Sequence, residues 1–526
     1  MSRKFKVSPG IRLDYSFVGD QPPLDPAVTA TADYVSNDPT YSHTSWSQFS
    51  NKWLGKATIS PRIGFNYDIK GNQSLVLRGG TGIFTGRMPF AWLGYAYTLS
   101  GVNFGTIDYR PASGTTVPLA INPQNLQDTV GKYGGTSASA THEVDLIDNN
   151  FKLPSIWRSN LAMDIRFGKG YKLTLDAMYT KTLYDVKFQQ INVKDTTAYF
   201  TSGPTQTPVY IGGKVNSAFS NVYLLSNTKE GYRYNLTAQL SKTTSNIKVG
   251  NHSMNLNWMA AYTYGMSKDL SNGIRNSFQS NYEVNPAITP GNPQLSYSNF
   301  DLRHRIVGTV ALGMNWNNYN TTTLSVFYSG QSGSPYTFIY SSSPNPFGNS
   351  SNANLAYIPK AGEQLNFADI KDAVTGAVTY TAAQQQQDFN NFVNNDKYLS
   401  ERRGQYTQRN GQRTPWNHEL DLKLMHEFKF KGENNQHTLQ LSVDIFNVLN
   451  LLNNDWGHIA FVTNVNNYDV NLLAFANDAA GHKPGAPSTG YVPTFNYVKP
   501  ASTGNYYTID PINSRWQAQL GIKYTF

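Results

Sequence analysis

A repeated two-residue alternation limits what this chain can fold into more than any other feature. At the C-terminal end, Trp516, Ala518, Leu520, Ile522, Tyr524 and Phe526 fall on one face of an extended strand, and Gln517, Gln519, Gly521, Lys523 and Thr525 on the other. Successive side chains of a strand point to opposite faces, so the stretch reads as an amphipathic β-strand. Near the N-terminal end, Phe5, Val7, Pro9, Ile11, Leu13, Tyr15 and Phe17 oppose Lys6, Ser8, Gly10, Arg12, Asp14 and Ser16. The pattern recurs at about 57–69, 75–83, 157–167, 171–179, 232–240, 254–266, 302–314, 324–328, 416–430 and 439–445. That gives about twelve strands.

A soluble all-β protein also alternates, because one sheet face packs and the other is wet. Three features favour a membrane wall. The strands run to about 11–14 residues, against a mode near 5 or 6 in globular proteins. The apolar faces carry no Lys, Arg, Asp or Glu over these stretches, as expected where a midplane Lys or Arg costs about 2–4 kcal/mol. Trp157, Tyr171, Tyr232, Tyr264, Trp416 and Phe526 sit near strand ends, where an interfacial aromatic girdle belongs. The sequence has no apolar run of about 18 residues, so no helix spans a bilayer. In lipid, such strands satisfy their backbone groups only as a closed barrel. The expected fold class is therefore all-β, a transmembrane antiparallel β-barrel in the outer membrane.

Connections alternate in length. Short turns such as KGNQ (Lys70 to Gln73), GKG and NWNNYN separate segments of roughly 30 to 80 residues, including about 86–153, 189–229, 332–413 and 450–513. These long segments read as irregular, and one carries a Gln run at 384–387. Tight periplasmic turns and long outer loops are the asymmetry of outer-membrane barrels, and a last strand ending in the periplasm places every short turn there. The terminal Phe526 resembles the C-terminal signature that the barrel-assembly machinery reads.

Composition narrows the function. The chain has 526 residues, 15% of them charged, and no cysteine, which excludes thiolate chemistry and Cys-based zinc sites. Its net charge of +9 is scattered, giving nucleic-acid binding little support. The N-terminal MSRKFKVSPG lacks the apolar core of a secretory signal, which an outer-membrane protein needs, so either a signal lies upstream of the sequence given or the membrane reading fails. His304, His418 and His426 share parity with lipid-facing residues and have no adjacent Ser–Asp arrangement, and neither GxSxG nor HExxH occurs. We expect no enzyme, no cofactor and no metal site; the Asp- and Asn-rich loops have no EF-hand spacing.

The segments ISPRIGFNYDIKGNQSLVLRGGTGIFTGR, NTKEGYRYNLTAQLSK, NFDLRHRIVGTVA, RNGQRTPWNHELDLKL and LQLSVDIFNVLNLLNNDWG resemble the barrel of TonB-dependent outer-membrane receptors. They look most like the Oar-like subgroup common in Bacteroidetes, which often carries a carboxypeptidase-regulatory-like domain. The resemblance implies a 22-stranded barrel around an N-terminal plug. Residues 1–526 then correspond to its C-terminal part, with the plug, the TonB box and the early strands absent from the sequence given. It also implies uptake of an unidentified ligand, with lipid, TonB and the ligand as partners.

Two residue sets follow as candidates. Outer-loop aromatics able to stack on a ligand are Trp46, Trp53, Trp92, Tyr95 and Trp456, with Phe90 and Tyr336; self-packing of the loops is the competing reading. Inward-facing charges able to meet a plug are Arg12, Arg62, Arg158, Asp164, Asp301, Arg303, Arg305 and Asp421; a solvated lumen or cross-strand pairing competes. Two other functions stay open: an adhesion or binding barrel without TonB-coupled transport, and a self-contained twelve-stranded passive channel.

Overall fold

The computed structural model describes all residues except 1–3, 18, 39, 54, 103–141, 196–208, 211, 272, 274, 342, 432–435, 463–468, 485–490 and 501–503. Twelve strands form one antiparallel wall: β1 Phe5–Tyr15, β2 Ala57–Asp68, β3 Leu75–Thr85, β4 Ser155–Phe167, β5 Tyr171–Gln190 and β6 Tyr232–Val249. The second half is β7 His252–Asp269, β8 His304–Asn315, β9 Asn320–Gln331, β10 Asn417–Lys431, β11 Gln436–Phe446 and β12 Gln517–Thr525. Each pairs with its neighbour in sequence, from β1 to β12. The short connections 69–74, 168–170, 250–251 and 316–319 all lie at one end, and the long ones at the other. The connection between β10 and β11, residues 432–435, lies outside the described residues. Gly170 shows why one turn is so tight: it has φ +86°, and a Cβ there would lie 2.2 Å from the Thr243 carbonyl oxygen.

The alternation sorts the faces. Leu161, Leu236, Val310, Leu424 and Ile522 stand exposed on the outer face, as lipid-facing residues must. Aromatic and histidine rings collect at both of its ends. Toward the long loops, His304 stacks on Tyr262 and Trp416 at 6.1 and 5.9 Å, and Trp416 stacks on His418 at 5.9 Å. The Tyr262 and Tyr328 hydroxyls lie 2.8 Å from Nδ1 of His304 and His418. Toward the short turns, Phe167 stacks on Tyr171, and His437 lies between Phe430 and Tyr524. Lys242 shares the lipid-facing parity of Leu240, and its ammonium lies 4.4 Å from the centre of the Tyr171 ring. It corrects the expectation of a charge-free stripe: β6 runs past residue 240, and a cation at a strand end reaches the headgroup layer.

The pairings contain none between β12 and β1 among the described residues. One other expectation changes: the long segments are not irregular. Strand His142–Ile147 runs parallel to Phe219–Thr228, which pairs with the upper end of β5. Pro335–Tyr340 runs parallel to Asp469–Phe475, with Phe495–Tyr497 beside it. The Gln run lies in a helix, Ala382–Asn395, opened by a capping box from Thr381 and Gln384. These pieces bury apolar cores of their own above the wall. One contains Phe338, Tyr340, Phe389, Leu472 and Phe495; two others pack against the opposite faces of the 142–147/219–228 sheet.

Candidate lumen and outer-loop site

The inner face of the wall carries the charges that the alternation placed there. Asp164 on β4 is held by Arg78 at 3.2 Å, by Lys172 at 3.3 Å and by the Thr174 hydroxyl at 2.7 Å, so three neighbouring strands meet at one carboxylate. Arg158 donates to the Thr180 hydroxyl at 3.2 Å. Arg12 pairs with Asp14 at 2.7 Å on its own strand, and Arg62 lies 5.3 Å from the Phe84 ring centre. Asp421 accepts from the Asn447 backbone N–H at 2.9 Å, and Lys423 pairs with Asp444 at 2.7 Å. Pairs as open as these contribute about 0–1 kcal/mol each, so they organise the face more than they stabilise it. Arg305 lines a recess of about 260 Å³ together with Ser329, Glu419 and Asn447. Arg12, Arg62 and Arg305 keep exposed surface toward the hollow.

Asp301 and Arg303 are placed differently from the rest of their set. The Asp301 side chain is fully buried and takes the Ser267 N–H at 2.5 Å, Arg303 at 3.0 Å and the Arg413 guanidinium. Arg303 also lies 4.7 Å from the Tyr297 ring centre. This cluster locks the tops of β7 and β8 to the 332–416 loop and leaves no carboxylate surface for a further partner. Arg413 was not among the sequence candidates. It lies where the alternation of β10 has not begun, so periodicity could not have found it.

The aromatic set divides likewise. Trp46, Trp53 and Trp92 are at most 2% exposed and sit within the loop cores, Trp92 edge-on to Phe188 at 5.2 Å. Burial leaves these three indoles no open face, so they hold the loops together instead of presenting a stacking platform. Tyr336 is buried in the same way. Tyr95 is half-buried, and Trp456 and Phe90 are exposed.

One acidic group lies inside the loop layer. Strand His142–Ile147 directs Glu143 and Asp145 to the face that carries Tyr223, whose hydroxyl donates to Glu283 at 3.0 Å. Asp145 is 1% exposed, and neither carboxylate oxygen has a hydrogen-bond partner. Burial, then the Glu283 charge, pushes the Glu143 carboxyl up to about 7; burial, then Glu143, raises Asp145 well above the usual carboxylate range. Among the described residues, no three His, Asp or Glu converge so as to hold a metal ion.

The wall, its polarity and its loop layer can be set beside known proteins. The sequence matches the outer membrane beta barrel domain family over residues 2–458. No curated protein matches it. Among solved structures it is similar to the outer membrane transporter YddB from Escherichia coli, at 12% identity and TM-score 0.35, over 76% of this chain and 38% of that one. It is also similar to the FrpB iron transporter from Neisseria meningitidis, at 11% identity and TM-score 0.26, over 74% and 39%. The chain thus spans under two-fifths of the length of either transporter. A twelve-stranded wall, apolar outside, charged inside and matched over most of its length, places the chain in the outer membrane and in the outer membrane beta barrel domain family.

Proposed function

We propose that this chain is the C-terminal part of the barrel of a TonB-dependent receptor, which takes up an unidentified ligand across the outer membrane around a plug. The observation that carries the reading is the wall itself: twelve strands around a charged inner face, with its two outermost strands unpaired with each other among the described residues. Unpaired backbone groups are costly in lipid, and strands beyond these twelve would complete a cylinder wide enough to hold a plug. The segment quoted around ISPRIGFNYDIK and its companions supplies the TonB-dependent and Oar-like part of the reading. In this role Arg12, Arg62, Arg158, Asp164, Arg305 and Asp421 face the plug, and Tyr95 and Trp456 keep surface that a ligand can reach. Transport of this kind requires no covalent chemistry from the barrel, and Phe526 serves assembly.

Single-channel recording on the native protein from outer membranes tests the reading, together with retention of that protein on the immobilised periplasmic domain of TonB. We expect retention and no steady conductance, because a plug fills the hollow. A steady ohmic pore without retention replaces the receptor by a passive channel. Neither property, with loop-dependent attachment to surfaces, replaces it by an adhesion barrel.

A further inference from the structure

The backbone ladder of the wall stops short at one place inside its span, where the Ser60 and Thr85 hydroxyls, 3.3 Å apart, still join the two strands. β2 begins at Ala57 and β3 runs to Thr85, yet their ladder stops at the pair Arg62–Gly82. The next residue of β2 is Pro61, which has no N–H to give. Above it, β2 stays with β1 as far as the pair Tyr15–Ala57, and β3 stays with β4 as far as Thr85–Ser155. A bulge in the β4–β5 pair, where Ser155 opposes Tyr184 and Ile156 opposes Thr182, skips Leu183 beside the gap.

The gap is a slot of about 420 Å³, within the usual 300–1,000 Å³ of small-molecule sites. Ile59, Ile83, Leu153 and Leu183 line it, and the buried Trp53 and Phe151 close its back. Ile59 and Ile83 share the lipid-facing parity, and Ile83 pairs with Trp157 of the expected girdle, so the slot opens toward the outer leaflet. Its lining has two cations, Lys56 and Lys152, and no Asp or Glu. Both lysines rest on neutral oxygens: Lys56 on the Asn149 carbonyl at 3.2 Å, Lys152 on the Tyr184 hydroxyl at 2.9 Å. A second hollow of about 320 Å³ shares Ser16, Trp53 and Leu153 with it and adds Arg87 and the exposed Phe17 and Phe90.

We propose that this slot binds an anionic lipid of the outer leaflet, one acyl chain lying in the outer-face groove lined by Ile59, Ile83, Leu153 and Leu183 and the phosphate resting on Lys56 and Lys152. An apolar gap that opens on hydrocarbon is filled by it, and unneutralised lysines at headgroup level select the anionic species. The inference needs only that the wall lies in the outer membrane, and it stands whether or not the barrel transports anything.

Native mass spectrometry of the whole protein tests it, in nanodiscs of equal dimyristoyl phosphatidic acid and dimyristoyl phosphatidylcholine. The wild type is expected to retain the phosphatidic acid, and Lys56→Gln with Lys152→Gln to lose about tenfold of that enrichment. Ile83→Trp, which fills the slot, is expected to abolish retention while heat-modifiable migration shows the barrel folded. Equal enrichment in the double Gln variant, or no retained lipid in the wild type, overturns the proposal. Retention that survives Ile83→Trp also overturns it, since the lysines then hold a phosphate without the chain in the slot.

Discussion

Leu175 on β5 and Gln239 on β6 show how much one position in the alternation decides. Leu175 lies on the lipid side, 39% exposed, midway along β5 between the girdle residue Tyr171 and Tyr179. Gln239 pairs with Thr174, its neighbour on the inner side. Leu175→Arg is expected to destabilise the whole protein by about 2–4 kcal/mol, and Gln239→Arg by no more than about 0.5 kcal/mol. Urea unfolding in lipid vesicles, followed by tryptophan fluorescence, measures both; equal costs would mean that the faces are assigned the wrong way round. Glu143 supplies a pH dependence of definite sign. Its carboxyl is raised from 4.5 to about 7, so the folded loop layer holds a proton that the unfolded chain has released. The resulting stability is complete below about pH 4.5 and is lost as pH rises to about 7, and Asp145 acts in the same direction. Amide exchange in 219–225, corrected for its intrinsic pH dependence, is expected to lose protection over that window. Glu143→Gln with Asp145→Asn is expected to flatten the profile.

The secondary elements separate into a wall that the sequence made legible and a loop layer that it did not. Wall strands face lipid on one side and an aqueous hollow on the other, so each shows a clean period of two. Strand Pro335–Tyr340 is buried on both faces, every residue below 9% exposed, and reads PYTFIY with no alternation to detect. Strand His142–Ile147 is six residues long and pairs with a partner some eighty positions away, which no local pattern announces. The helix Ala382–Asn395 did carry a signal, Thr381 with Gln384 ahead of Phe389 and Val393, but the polar Gln run masked it. The indoles followed from the same cause: a loop rich in Trp reads as a ligand platform until the strands that bury it are known. Phe389 is fully buried against Phe367 at 5.9 Å and Tyr497 at 5.6 Å. Phe389→Ala is therefore expected to cost the loop layer about 3–5 kcal/mol. Limited proteolysis should then cut within 332–416 at once, while the barrel keeps its heat-modifiable migration. Loss of the barrel as well would mean that wall and loop layer fold as one cooperative unit.

For the molecule as a whole, the two edges decide between the readings of its function. Among the described residues, β1 is bonded only to β2 and β12 only to β11, so each leaves one row of backbone groups without a strand there. A bilayer does not tolerate that, and only two completions exist. Either β12 joins β1 and twelve strands close upon themselves, or other strands stand between them. Residues 1–526 contain no cysteine, so an engineered pair of thiols meets no competing thiol within them, and the choice is measurable. Gln440 and Lys523 are register partners on β11 and β12, so Gln440→Cys with Lys523→Cys should form a disulfide in outer membranes. A set joining the other two edges, Lys6→Cys or Ser8→Cys with Gly521→Cys or Lys523→Cys, should form none if intervening strands hold β1 and β12 apart. Cross-linking in that set would close the wall at twelve strands. The hollow would then be too small for the plug a receptor needs, and the passive channel would take the receptor's place.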